Sequence, residues 1–194
     1  MKVELSPEVQ LLSDVAKAFA GSLDLEQSLR SILDLLDTHL KLQRGTITLL
    51  NPYTEKIEIK VAHSLSEESQ RLISYNVGEG ITGKVVETGE EIVVADITKD
   101  PSFLHKTGSR GKAAQQKRIS FFCVPIKLED ETIGALSVDR QAERDDDFEA
   151  NVRLLNVIAT MVAQAVKLNK LIESDRKRLR EENVRLSQEL KSRF

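Results

Sequence analysis

Apolar residues recur at helical spacing from the start of the chain. Leu12, Val15, Ala16 and Phe19 follow Ser6-Pro7-Glu8 and stop at Gly21. Serine before proline marks a helix start: the hydroxyl accepts from a free N–H of the first turn, and proline has no N–H to leave unsatisfied there. A second helix is predicted from Asp24, with Gln27 three residues on as a capping box and Leu25, Leu29, Ile32, Leu33, Leu36 and Leu40 on one face. The period then shortens to two. Gly45–Leu50 is β-branched and apolar, Asn51-Pro52-Tyr53-Thr54 reads as a turn, and Ile57, Ile59 and Val61 alternate with polar residues, which together predict an antiparallel hairpin.

A short polar helix is expected over Glu67–Asn76, and a further helix between Gly78 and Gly89. Ile92–Ala95, Ile119–Lys127 and Thr132–Val138 read as three more strands, the last two joined by Glu129-Asp130-Glu131. Pro125 cannot donate to a ladder, so its strand is expected to be bulged or at an edge there. Between the third and fourth strands, Asp96 to Arg118 has little periodicity. It is rich in Lys99, His105, Lys106, Arg110, Lys112, Lys117 and Arg118. A loop this long is either functional or a solvated segment; Phe103 and Leu104 within it favour docking of part of it against the body.

From about Asp145 to Phe194 the chain lacks both proline and glycine. Asp145, Asp146 and Asp147 suit the positive end of a helix dipole. A continuous helix would be roughly 75 Å long at about 1.5 Å per residue, more than a domain of this size can bury. Its heptads place Ile158, Ala165, Ile172, Leu179 and Leu186 at d, and Val162, Asn169, Arg176, Asn183 and Leu190 at a. Leucine at d with asparagine at a is the pattern of a parallel two-stranded coiled coil. The expected division is therefore a domain over 1–168 and a linker helix over 169–194, whose Ile172, Leu179, Asn183, Leu186 and Leu190 pair two copies as a homodimer.

Composition narrows the chemistry. The chain has 194 residues and a net charge of −3, so it carries no overall electrostatic footprint for nucleic acid. A single cysteine, Cys123, excludes an intrachain disulfide and any multi-thiolate zinc site. No apolar run approaches the roughly 20 residues of a membrane span, and the first residues lack a signal-peptide core, so a cytoplasmic location without membrane contact is expected. Cys123 lies within an apolar strand, where cysteine acts as a small hydrophobe. His39, His63 and His105 share no ligand spacing. No nucleophile, base and acid can be assigned as a set, and neither a cofactor nor an enzymatic activity is expected.

Gly78-Glu79-Gly80-Ile81-Thr82-Gly83-Lys84-Val85 satisfies G-x-G-x-x-G and nearly satisfies the phosphate-binding G-x-x-x-x-G-K-[ST]. Both motifs require a buried strand running into the loop. Here a polar helix precedes it, and Val85 stands where a P-loop needs a hydroxyl. The glycines read instead as the tight entry to a helix that Gly89 ends.

The layout of two helices, a hairpin, a helical insertion, three more antiparallel strands and a long final helix resembles a GAF domain. The expected fold is α+β, a central antiparallel sheet of five to six strands with helices on both sides. Five phrases go further: Arg44–Leu50, Gly78–Gly89, Phe103–Gly108, Cys123–Lys127 and Ile133–Arg140. In this order they resemble the regulatory domain of the nitrogen-fixation activators in the sigma-54-dependent family. That resemblance implies a sensor module followed by an AAA+ ATPase and a DNA-binding domain. It further implies a signal that is either a small anionic metabolite, such as 2-oxoglutarate, or a regulatory protein. The Asn-Lys and Asp-Glu signature of cyclic-nucleotide-binding GAF domains is absent. For an anion, the expected site lies between the sheet and the basic loop. There the Ile81 helix start offers N–H groups, Arg110 or Arg118 supplies charge, Thr82 and Asp96 are polar neighbours, and Phe103 and Phe121 close the pocket. The alternatives are an interaction and dimerisation module with a vestigial pocket and, less favoured, an enzyme on the same scaffold.

Overall fold

The computed structural model describes residues 6–63, 65–100, 118–141 and 148–191. Its helix starts fall where capping residues stand. In α1 (Pro7–Gly21) the Ser6 hydroxyl accepts from the Val9 N–H, and in α2 (Leu25–Leu40) the Asp24 carboxylate accepts from the Gln27 N–H at 3.1 Å. The capping box closes indirectly. Ser22 Oγ donates to Gln27 Oε1 and itself accepts the Asp24 N–H, each at 3.0 Å. The apolar stripe of α2 is buried at Leu29, Ile32, Leu33 and Leu36.

Six strands form one antiparallel sheet: β1 (Gln43–Asn51), β2 (Lys56–Ala62), β3 (Ser74–Asn76), β4 (Ile92–Val94), β5 (Ile119–Leu128) and β6 (Glu131–Gln141), in the spatial order β3-β2-β1-β6-β5-β4. The hairpin turn after β1 is organised by Asn51, whose Oδ1 accepts from the Tyr53 N–H at 2.9 Å. β3 went unpredicted. The polar helix expected over Glu67–Asn76 is α3 (Glu67–Leu72), and the chain then turns extended to pair Tyr75 with Ile57. Three residues are too few for periodicity to register. Pro125 lies beyond the last β4 pairing, Ile92 with Cys123, where β5 has become an edge.

One face of the sheet packs on α1, α2 and α5 (Phe148–Lys191) through Ile47, Val61, Phe122, Val124, Leu136 and Val138. Phe122 meets Phe148 edge to face at 5.6 Å, which fixes the first turn of α5 over β5. The other face carries α4 (Gly80–Thr88) on Ile57, Phe121, Cys123 and Ala135. The alternation Ile57, Ile59, Val61 suggests a single face, but the ladder slips between Ile47 paired with Val61 and Thr48 paired with Ile59. This bulge at Lys60 turns Ile57 to the α4 side and Val61 to the α2 side. The helices therefore lie on both sides of the sheet, as expected.

α5 is continuous for 44 residues, about 66 Å. It changes character along its length. Leu154, Leu155, Ile158, Ala159, Val162, Ala163 and Val166 are buried in the domain; beyond Val166 no residue of the helix is buried.

Candidate functional site

The α4 face of the sheet brings together the polar side chains that the core does not need. Reading across strands, Ser137 on β6 lies between Thr46 of β1 and Cys123 of β5, and Asp139 pairs with Phe121. Thr46, Thr48, Ser137 and Asp139 are all buried, with Asp139 only 2% exposed. A buried carboxylate needs a compensating partner. Arg44 provides it, with Nη1 3.5 Å from Asp139 Oδ2. Arg44 reaches that position from a left-handed backbone, φ 49°, beside the irregular β1–β6 register between Gln43 and Thr46. Sequence reasoning missed this buried polar column. Its signal was the alternation Leu136-Ser137-Val138-Asp139, in which the polar residues fall on the face opposite the apolar ones.

Entry to α4 is shaped by backbone contacts, and the short strand β3, half-exposed and at the sheet edge, runs into it where the polar helix was expected. Gly78 and Gly80 have φ of 82° and 61°, which glycine adopts without the clash of a Cβ. The Gly78 N–H donates to the Gly83 carbonyl at 2.9 Å, and the Glu79 N–H to Asn76 O at 3.0 Å. Gly83 lies so close to the preceding turn that a Cβ would stand 2.5 Å from Asn76 O. Glu79 does not cap the helix with its side chain; its carboxylate turns back to accept from the Asn76 backbone and side-chain N–H groups at 2.8 and 3.0 Å. Gly89, φ 67°, ends α4 with its N–H on Val85 O.

Of the site residues expected from sequence, Thr82, Asp96, Arg118 and Phe121 fall in the described regions; Phe103 and Arg110 lie outside them. Thr82 sits in the first turn of α4, partly exposed, near the Cys123 thiol. Cys123 is fully buried, and that burial pushes its thiol up to about 12, the Thr82 contact opposing the shift. Phe121 is buried beside it, two residues back along β5.

Asp96 follows β4 and is held by its own turn. Thr98 Oγ1 donates to Asp96 Oδ1 at 2.7 Å and the Thr98 N–H at 3.1 Å. The Thr98 bonds, with Lys99 and Arg118 nearby, hold the pKa of Asp96 below the usual carboxylate value. Asp96 and Arg118 are thus electrostatic neighbours at the two ends of the basic segment 96–118. The Ile97 N–H on Ile119 O at 3.0 Å ties these ends together. Residues 101–117 lie outside the described residues. Among the described residues no cluster of histidine, cysteine and carboxylates could hold a metal ion, and no helix is long and apolar enough to cross a membrane.

A family model described as "GAF domain" matches residues 24–166, from the cap of α2 to the last buried turn of α5. The chain belongs to the GAF-domain family. Among solved structures, this GAF domain is similar to the A. aeolicus nlh2 GAF domain in an inactive state. The two share 22% identity at a TM-score of 0.73, covering 84% of this chain and 96% of that one. Similarity at that level shows the fold.

Sequence relatives are closer. The nitrogen fixation protein AnfA of Azotobacter vinelandii is 39% identical over 186 residues, covering 95% of this chain and 34% of that protein. The Nif-specific regulatory protein of Herbaspirillum seropedicae is 36% identical over 190 residues, covering 96% and 34%. The chain thus spans about a third of the length of these relatives. The resemblance read from the five phrases holds at the level of whole-chain identity, to a nitrogen fixation protein and a Nif-specific regulatory protein.

Proposed function

We propose that this chain is the regulatory sensor domain of a nitrogen-fixation transcriptional activator of the sigma-54-dependent type. It senses a small anionic metabolite of the 2-oxoglutarate kind, or a regulatory protein. It passes the signal along α5, as a parallel two-stranded coil over 169–194, to an AAA+ ATPase in the longer protein. The observation that carries this reading is the match to regulators of nitrogen fixation across nearly the whole chain.

For the metabolite, support comes from the meeting of the α4 start, Thr82 and Phe121 on one sheet face, with Arg118 at the end of the basic loop. Arg44 is already paired with Asp139; among the described residues Arg118 is a cation that can be drawn from Asp96 onto a ligand carboxylate, and Arg110 is the alternative outside them. Ligand binding would move the loop ends, and through β5 the packed half of α5; such coupling requires the two states to differ in ligand affinity. Calorimetric titration with 2-oxoglutarate is expected to give saturable heat below millimolar concentration. Arg118→Ala should weaken binding about 10- to 100-fold, the loss of one charged hydrogen-bonding partner worth about 1.5–3 kcal/mol. Absence of heat at millimolar ligand would remove the metabolite from this reading.

One observation favours the second form of the signal, a regulatory protein on the outside of a vestigial pocket. The α4 face is densely filled: Ile57, Ile81, Val85, Val94, Ile97, Ile119, Phe121 and Cys123 are all buried. Binding of a partner protein by a chain that gives no heat with metabolites would select it.

A further inference from the structure

A groove of about 420 Å³ lies between α2, α3 and the β1–β2 hairpin, and no residue of α4 lines it. Its charged residues balance, Glu26, Glu58 and Glu67 against Arg30, Lys60 and Arg71. Leu49, Leu50 and Pro52 supply apolar lining, and Tyr53 beside them is 94% exposed.

We propose that this groove binds a free α-amino acid with an apolar side chain, at a site separate from the metabolite site considered above. Three observations carry it.

First, the groove holds an acceptor without a donor. Gln70 lines it and is only 4% exposed. Its Nε2 donates to the Leu65 carbonyl at 2.8 Å and to the Ala62 carbonyl at 3.4 Å. Those two bonds turn the amide oxygen the other way, and among the described residues no group donates to it. A buried acceptor is stabilised by a donor, which a ligand ammonium supplies. Second, cations are available for a ligand carboxylate. Lys60 Nζ is held 2.6 Å from Glu26 Oε1, but among the described residues Arg71 makes no ion pair or hydrogen bond. Arg30 meets Glu67 at 3.3 Å, with both side chains exposed. So exposed a pair is weak, and Arg30 can turn from it to join Arg71 on one carboxylate. Third, the glutamates decide the rest of the ligand's charge. Glu67, once released by Arg30, attracts an ammonium, whereas a second ligand carboxylate would be repelled by it and by Glu26 and Glu58. A purely cationic ligand would meet Arg71. A zwitterion with one carboxylate exchanges one exposed ion pair for two, and the apolar lining takes its side chain.

The test uses the full 194-residue chain, which has no tryptophan. Tyr53→Trp therefore places a single indole on the groove by changing a side chain that is almost wholly exposed. L-Leucine at millimolar concentration is expected to shift the emission of this variant saturably and to give saturable heat with the wild type. Isocaproate, which lacks the ammonium, and isoamylamine, which lacks the carboxylate, are each expected to bind about tenfold more weakly or worse. Arg71→Ala, an exposed change on α3, should lower leucine affinity about tenfold or more with the urea midpoint unchanged. No saturable response to leucine would overturn the proposal. Heat without a change in emission would put leucine elsewhere and overturn the groove as its site. Equal binding of isocaproate or isoamylamine would overturn the zwitterion. Undiminished binding by Arg71→Ala would remove the carboxylate anchor, and the proposal with it.

Discussion

Gly83 and Gly21 are the same residue under opposite constraints. At Gly83 a Cβ would meet backbone, Asn76 O at 2.5 Å and Gly78 at 3.0 Å; at Gly21 nothing lies within 4 Å. Gly83→Ala is therefore expected to cost about 2 kcal/mol or more, because the turn before α4 must open. Gly21→Ala is expected to gain about 0.5–1 kcal/mol by restricting the unfolded chain. Urea unfolding of the two variants measures both. Cys123 makes a second residue-scale prediction. The pKa of its thiol is raised to about 12 by burial, so the folded state holds a proton that the unfolded state releases near 9.0, the ordinary thiol value. The associated stability is present below about pH 9 and is lost as pH rises toward 12. Stability measured across this range should fall less steeply in Cys123→Ala than in the wild-type chain. Thiol reagents at pH 8 should label the wild type only on unfolding.

At the scale of elements, α5 carries two sequence patterns in one unbroken helix. Its first half is held by burial against the sheet, whereas among the described residues its second half has no buried side chain. An isolated solvent-exposed helix draws little stability from propensity alone. Pairing is thus what the apolar d positions offer the second half. Replacing Leu179 and Leu186 together by lysine is expected to turn a dimer into a monomer and to lower the helical signal in circular dichroism as the tail frays. A double variant that remains dimeric at tens of micromolar would show that the coil contributes no net association. The hairpin β1–β2 shows the converse case, an element whose existence was legible but whose facing was not. Alternation located the strand; the bulge at Lys60, set by pairing with β1, decided that Ile57 looks toward α4 while Val61 looks toward α2.

For the molecule as a whole, the sheet divides the work. One face, under α1, α2 and the first half of α5, is an apolar core. The other, under α4, mixes apolar packing with the polar column Thr46, Thr48, Ser137 and Asp139. Since no residue of α5 beyond Val166 is buried, a chain ending after Ile172 is expected to keep a cooperative urea transition and native near-ultraviolet circular dichroism. Loss of cooperativity in that shortened chain would place part of the core in the coil. What the sequence alone determined are features that depend on nearby residues. These are the helix starts at Ser6 and Asp24, the Asn51 turn, the glycine entry to α4, the length of α5 and the layout that marks a GAF domain. Caps, turns and periodicity act over a few residues and can be read there. Tertiary structure decided what depends on partners distant in the chain. β3 exists because Ser74–Asn76 finds β2. Arg44 and Asp139, 95 positions apart in the sequence, meet because β1 lies beside β6. Only that pairing makes a buried carboxylate tolerable on the α4 face, since a charge out of water requires a partner that local sequence cannot supply.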